Sequence, residues 1–244
     1  MGTVITLDIR DADVQQSAVD AAVAWFHEID AMFSTFQEDS QISRLCRGEI
    51  RESECSREVR EVLGLCAEVE RRSGGCFDIR YQRRLDPSGL VKGWSVERAA
   101  SILSEGRARN FLINAGGDIV ARGRPRPDRQ WRLGIRHPEI ADRLAAILDV
   151  GDLAVATSGT YERGQHIVDP GSGRAATGLL SMTVVGPSLT YADAYATAAF
   201  VMGERGPSWV NGIDGYEALA ITTDRRTVWT AGLESLLVGN ESAQ

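Results

Sequence analysis

The sequence predicts an α+β fold, because segments with helical periodicity fill the first part of the chain and segments with strand character fill most of the rest. Three segments before Gly106 repeat apolar residues at intervals of three and four. Beyond Asn110 most apolar segments are short, rich in β-branched or aromatic residues, and bounded by glycine or proline. A doubly wound sheet would alternate the two patterns along the chain, so the observed order favours α+β.

The first part of the chain is predicted to be one strand followed by three helices. Thr3 to Ile9 alternates apolar and polar residues, as a half-buried strand does. The predicted helices are a long one ending near Phe36 with Asp11 or Asp13 as its cap, one from about Ser56 to Arg72 that Gly74 or Gly75 ends, and one between Pro87 and Gly106. Their inward faces are predicted to hold Val14, Ala18, Ala21, Trp25, Ile29 and Met32, then Val59, Val62, Leu63, Cys66 and Val69, then Val96, Ala99, Ala100 and Leu103.

The second part is predicted to be strands with one more helix. The small-residue segment Ala192 to Met202 is predicted to be a helix packed closely on its neighbours. The predicted strands are Phe111 to Asn114, Ile119 to Arg122, Trp131 to Ile135, Ala145 to Val150, Leu153 to Ala156, Met182 to Val185, Ala218 to Thr222 and Thr227 to Thr230. The one linker-like stretch, RGRPRPDR at 122–129, is too short to mark a domain boundary, so we expect a single domain over residues 1–244.

Composition excludes two classes of partner. The chain has 244 residues and a formal net charge of −7, so it offers no basic face to nucleic acid or to an anionic membrane. No stretch is apolar enough for membrane insertion, and the N-terminus lacks the basic start and apolar run of a secretory signal. We therefore expect a cytoplasmic protein, the alternative being an exported form whose first residues are missing. The four cysteines contain no CxxC pair and are expected to be reduced.

Two glycine-containing segments are candidate phosphate or nucleotide contacts. In DPSGLVKGW, Asp86 to Trp94, Lys92 is the only lysine among 27 basic residues, at a point where a loop becomes a helix. Helix amides and an ammonium together suit a phosphate; the alternative is a solvated first-turn lysine beside a glycine that permits close packing. In NAGGD, Asn114 to Asp118, two glycines let backbone amides approach a ligand, or simply form a hairpin turn.

Two further segments carry candidate catalytic and metal-binding groups. TSGTYERGQHIVDPGSG, Thr157 to Gly173, follows a predicted strand and combines hydroxyls and glycines with His166. The alternatives are a structural histidine and a plain turn at Asp169-Pro170. In YADAYAT, Asp193 and Thr197 are four apart and share one face of the predicted helix. A carboxylate and a hydroxyl are hard donors suited to Mg²⁺, whereas the alternative for Asp193 is a helix N-cap.

The order of these motifs resembles one family. Over residues 1 to 203 the chain resembles the ApbE family, the FAD:protein FMN transferases. The motifs that carry the resemblance are, in order, MGT, FSTFQEDSQISRL, DPSGLVKGW, NAGGDI, TSGTYER, HIVDP and ADAYATAAFVMG. The resemblance implies a single ApbE-like domain of mixed, mostly antiparallel sheets flanked by helices. It implies an Mg²⁺-dependent enzyme that splits FAD, passes FMN to a threonine or serine hydroxyl of a separate acceptor protein, and releases AMP.

The resemblance also implies roles for individual residues. The family's metal ligands correspond to Asp193, Thr197 and the backbone carbonyl of Val91. Its catalytic residues correspond to His166 and Asp193. The expected flavin-nucleotide contacts are Met1, Thr3, Lys92, Gly93, Asn114, Gly116, Gly117, Asp118, Ser158, Gly159, Tyr161 and His166. Cys46, Thr160 and Ser172 depart from the residues usual in the family. Two alternatives to transfer stay open: hydrolysis of FAD to FMN and AMP, and flavin binding without turnover.

Overall fold

A seven-stranded antiparallel sheet divides the molecule into a helical side and a smaller strand-covered side. The computed structural model describes residues 3–81, 84–160 and 167–238. Within them the helices are α1 Gln16–Phe33, α2 Gln41–Cys46, α3 Arg57–Arg72, α4 Ser88–Glu105, α5 Leu189–Met202 and α6 Gly206–Asn211. The strands are β1 Ile5–Ile9, β2 Arg80–Tyr81, β3 Arg84–Leu85, β4 Phe111–Ala115, β5 Asp118–Arg122, β6 Trp131–Arg136, β7 Leu144–Val150, β8 Ala154–Gly159, β9 Val168–Asp169, β10 Arg174–Ala175, β11 Leu179–Gly186, β12 Glu217–Thr222 and β13 Thr227–Trp229.

The main sheet has the strand order β1-β4-β5-β8-β11-β12-β13, and each neighbouring pair is antiparallel. Alternate residues of each strand point to opposite faces. Ala154 and Ala156 of β8 belong to the core on the helical side, whereas Val155 between them packs with the β6–β7 hairpin. The predicted α+β class with antiparallel sheets and flanking helices is therefore confirmed.

Helices α4 and α5 cross at very short distance on the helical side. A Cβ placed on Gly93 of α4 would lie 2.3 Å from the backbone oxygen of Leu189 at the start of α5. Only glycine lets the two backbones approach this closely. The crossing brings the beginning of α4, with Lys92, beside the second turn of α5, with Asp193.

Most of the predicted elements are confirmed, with a few corrections. The inward face of α3 is as predicted, and its N-cap is Ser56, which accepts a hydrogen bond from the Val59 amide. In α1 the buried residue is Ala22 and the exposed one is Ala21, so the predicted phase is wrong by one position there. Neither Asp11 nor Asp13 caps α1, whose N-cap position is Gln15. The Asp11 carboxylate instead accepts hydrogen bonds from the amides of Arg109 and Asn110. The short helix α2 is a further addition.

None of the helices in the described part of the chain is both long enough and apolar enough to cross a lipid bilayer.

Candidate active site

A cleft of about 1500 Å³ lies where the four predicted motifs meet. Its walls are the end of α1 and the loop after it, the first turns of α4, the β4–β5 turn, the end of β8, and α5. Strand β8 is longer than predicted and continues through the TSG motif, so Ser158 and Gly159 lie in the sheet and face the cleft. Segments separated by more than 100 residues in sequence thus share one cavity.

The cleft gathers most of the predicted site residues. Those that line it are Thr3, Val91, Lys92, Asn114, Gly116, Gly117, Ser158, Gly159, Asp193 and Thr197. Two others lie behind the wall: Gly93 at the helix crossing and Asp118 in the sheet, 1% exposed. Met1, Tyr161 and His166 lie outside the described residues, so their predicted roles stay predictions.

Asp193 and Thr197 face the cleft from one side of α5. The helix begins at Leu189 with Ser188 as its N-cap, so Asp193 is in the second turn and the alternative N-cap role is wrong. Asp193 is only 4% exposed, and its Oδ2 accepts a hydrogen bond from the Gly93 amide at 3.1 Å. The Thr197 hydroxyl lies 3.2 Å from the hydroxyl of Ser158 on β8. A carboxylate and two hydroxyls therefore line one strip of the cleft.

Lys92 forms ion pairs with two buried carboxylates. Its Nζ is 2.5 Å from Asp118 Oδ2 and 3.8 Å from Asp193 Oδ1. The solvated first-turn alternative for Lys92 is therefore wrong. Burial raises the pKa of Asp193 well above its usual range and the Asp118 charge adds to this, while Lys92 and the Gly93 amide oppose it.

This arrangement fits a divalent cation. Two buried carboxylates share one ammonium, so when both are ionised an excess of negative charge lies beside the hydroxyl of Thr197. In the described part of the chain no three His, Cys, Asp or Glu residues form a metal cluster. A cation here would therefore have few protein ligands, all of them hard oxygens. Mg²⁺ is bound in this way, with water and substrate phosphate completing its shell.

The NAGGD segment is a hairpin turn that also lines the cleft. Gly116 and Gly117 have φ of 61° and 97°, which suits the two central residues of a tight hairpin. The Gly117 amide donates a hydrogen bond to Asn114 Oδ1 at 2.8 Å. A Cβ on Gly116 would lie 2.3 Å from Thr3 Oγ1, so the turn packs directly on the start of the chain. The hairpin alternative is confirmed, and contact of this segment with a ligand stays a prediction.

One wall of the cleft was missed by sequence reasoning. Residues 33–37, at the end of α1 and just beyond it, line the cleft, and Phe36 is 95% exposed there. The FSTFQ segment was interpreted as the end of a helix and as part of a family motif, but no site role was predicted for it. An aromatic ring at the rim of a polar cleft is suited to stacking on a flat ligand.

Glu97 was also missed, and it positions the helix that carries Asp193. Its Oε2 accepts hydrogen bonds from the Ser188 hydroxyl at 2.7 Å, the Thr190 amide at 3.2 Å and the Thr190 hydroxyl at 2.5 Å. A carboxylate at a helix N-terminus satisfies an unpaired amide and interacts favourably with the helix dipole. The Ser188 side chain makes no such cap itself. Glu97 of α4 therefore holds the first turn of α5 in place.

We expect Glu97→Ala to lower the free energy of unfolding by about 2 kcal/mol, because α5 loses its cap and three hydrogen bonds. Urea titration followed by circular dichroism measures this change. Glu97→Gln keeps an acceptor oxygen without the charge and should give a smaller loss. Equal stability of the alanine variant and the unmodified chain would contradict the proposed cap.

The ApbE family model matches residues 1–83 and 81–220 of the chain. The FAD:protein FMN transferase of Vibrio cholerae is 36% identical over 130 residues, which cover 49% of this chain and 39% of that protein. The FAD:protein FMN transferase of Treponema pallidum is 32% identical over 169 residues, which cover 62% of this chain and 47% of that protein. The chain thus matches less than half the length of these curated relatives.

Solved structures give the same fold over nearly the whole chain. The flavin transferase ApbE from Vibrio cholerae superposes with a TM-score of 0.86 at 23% identity, covering 97% of this chain and 96% of that one. The ApbE protein from Thermotoga maritima gives a TM-score of 0.84 at 21% identity, covering 96% of each chain. At these identities the likeness shows the fold.

Proposed function

Because the chain belongs to the ApbE family, we propose that it is a transferase that moves FMN from FAD to a threonine or serine hydroxyl of a separate acceptor protein and releases AMP. The observation that carries the proposal is the cleft, in which Asp193 and Thr197 of α5 face Lys92 of α4 and the glycine turn of the β4–β5 hairpin. The names of the two curated relatives support the same reaction.

The cleft has the size and lining that a dinucleotide needs. Its volume of about 1500 Å³ exceeds that of ordinary small-molecule pockets, roughly 300 to 1000 Å³, which leaves room for an acceptor segment beside the dinucleotide. Apolar side chains at the end of α1 suit a flat ring system. The Lys92 ammonium suits the diphosphate, and the glycine turn, which has no side chains at Gly116 and Gly117, lets a ligand approach the backbone closely.

We propose that Asp193, Thr197 and the Val91 carbonyl hold Mg²⁺. When bound, this ion neutralises charge on the diphosphate oxygens as the phosphoryl group is transferred. Thr197 Oγ1 offers a neutral oxygen, and Asp193 offers a carboxylate oxygen that lies farther from the Lys92 ammonium, at 3.8 Å, than the Asp118 oxygen does, at 2.5 Å. Asp193 is only 4% exposed, so its carboxylate is largely shielded from bulk solvent. The chain's own residues therefore supply both the oxygen ligands for the cation and their protection from bulk solvent.

The proposed reaction forms one bond and breaks one. The oxygen of the acceptor hydroxyl bonds to the phosphorus on the FMN side of the diphosphate, and the bond from that phosphorus to the bridging oxygen breaks. AMP leaves with the bridging oxygen and its electron pair. The hydroxyl proton goes to a base, a role that the resemblance gives to His166. We propose that Lys92, which lines the cleft, offsets part of the negative charge that AMP carries away.

A transfer assay tests this proposal. The purified chain is incubated with FAD, Mg²⁺ and a candidate acceptor protein, and the acceptor is examined by in-gel fluorescence and intact mass. We expect the acceptor to gain the mass of an FMN group, with AMP released in equal amount. AMP release at the same rate without acceptor would favour FAD hydrolysis instead. Tight FAD binding with no AMP under any condition would leave only a flavin-binding protein.

A further inference from the structure

The Lys92 ammonium is held closer to one buried carboxylate than to the other. Its Nζ is 2.5 Å from Asp118 Oδ2 but 3.8 Å from Asp193 Oδ1. Asp193 lines the cleft and Asp118 does not. We propose that Asp118 is a positioning residue that holds Lys92 away from Asp193 and so keeps the Asp193 carboxylate available to a divalent cation. This inference rests on the metal site of the proposed function.

The sheet fixes the position of Asp118. It is the first residue of β5, directly after the glycine turn, and it is 1% exposed. Its Oδ1 accepts a hydrogen bond from the Thr157 amide of β8 at 3.2 Å, so its carboxylate bridges two neighbouring strands. Because Asp118 lies behind the wall of the cleft, it anchors the ammonium without being a ligand itself.

The Lys92 ammonium can move toward Asp193 if Asp118 loses its charge. A lysine carries its charge at the end of a flexible four-carbon chain, and the second carboxylate is already within 4 Å. In a poorly solvated site an ammonium pairs with the carboxylate that remains. Without the Asp118 charge, Lys92 is therefore expected to close on Asp193 and to compete there with a cation.

Loss of the Asp118 charge also makes the net charge around Asp193 less favourable to a cation. With both carboxylates ionised, as a bound cation requires, Asp118, Asp193 and Lys92 together carry an excess of one negative charge. Asp118→Asn removes that excess, while the asparagine oxygen still accepts the Thr157 amide. Removing Lys92 as well restores the excess and takes away the competing ammonium. The double variant Asp118→Asn, Lys92→Gln should therefore recover the cation affinity that the single variant loses.

Binding of Mn²⁺ alone to the full chain, without FAD, tests the inference. Free Mn²⁺ is measured by electron paramagnetic resonance during titration of the unmodified chain, Asp118→Asn, the double variant and Asp193→Asn. We expect Asp118→Asn to weaken binding by roughly tenfold or more, as loss of a close charge in a buried site does. The double variant should bind within about threefold of the unmodified chain. Lys92→Gln alone should bind no more weakly than the unmodified chain.

The outcomes separate this inference from the metal site on which it rests. If the unmodified chain binds no Mn²⁺, or if Asp193→Asn binds it equally well, the metal site itself is wrong. If binding depends on Asp193 and Asp118→Asn leaves it unchanged, the inference alone is overturned. It is also overturned if the double variant binds as weakly as Asp118→Asn, since Asp118 would then act through the fold. Should Asp118→Asn fail to fold, weaker binding by Lys92→Gln would overturn the inference and unchanged or tighter binding would support it.

Discussion

Replacing Asp193 with asparagine is expected to lower kcat/KM for FMN transfer by about a thousandfold or more, because a metal ligand contributes several kcal/mol to stabilising a phosphoryl-transfer transition state. The asparagine side chain keeps an oxygen that accepts the Gly93 amide, so the α4–α5 crossing is preserved. The melting temperature without metal is expected not to fall, since a buried and incompletely paired charge is removed.

Steady-state assays of FMN transfer and thermal melts of the same preparation measure the two effects of Asp193→Asn. Thr197→Ser is the matched control, because it keeps a hydroxyl at the same place on α5 and should retain most of the activity. Transfer at the normal rate by Asp193→Asn would contradict the proposed metal site. A loss of folding would instead make Asp193 a structural residue of the helix pair.

Gly93→Ala is expected to damage both the stability and the site. The new methyl group would lie 2.3 Å from the Leu189 oxygen and 2.8 Å from its carbonyl carbon, and backbone atoms cannot rotate away as a side chain can. The two helices must therefore move apart, which costs about 1 to 3 kcal/mol. The Asp193 Cβ is only 3.1 Å from the same point, so the carboxylate moves as well. FMN transfer should be largely lost.

A second glycine of the chain provides the control for Gly93→Ala. Gly64 lies on the exposed side of α3, and a Cβ there would have no atom within 4 Å. Gly64→Ala should therefore stabilise the protein by up to about 1 kcal/mol, through the higher helix propensity of alanine. Chemical unfolding of both variants gives the comparison. If Gly93→Ala unfolds at the same denaturant concentration as the unmodified chain, the close crossing is wrong.

Helical periodicity predicted the fold best where the apolar residues were large. In α3 all five predicted inward residues are buried, since valine, leucine and cysteine contrast strongly with the charged residues between them. In α1 the adjacent alanines 21 and 22 offer no such contrast, and the prediction chose the wrong one. The six residues of α2 make fewer than two turns, too few for a periodic pattern to emerge.

The candidate site was predictable where its residues lie on one element. Spacing alone places Asp193 and Thr197 on the same face of a helix. The ion pairs of Lys92 with Asp118 and Asp193 join α4 to β5 and α5, and no local pattern encodes such tertiary contacts. The same is true of the capping of α5 by Glu97, whose partners lie about 90 positions further along the chain. The predicted roles of His166 and Tyr161 stay predictions.

A crystal grown with FAD and Mn²⁺ and measured at the manganese absorption edge tests the central claim most directly. We expect an anomalous peak between the Asp193 carboxylate and the Thr197 hydroxyl, in contact with the diphosphate of FAD lying in the cleft. A peak at another place, or FAD bound with its diphosphate away from α5, would contradict it.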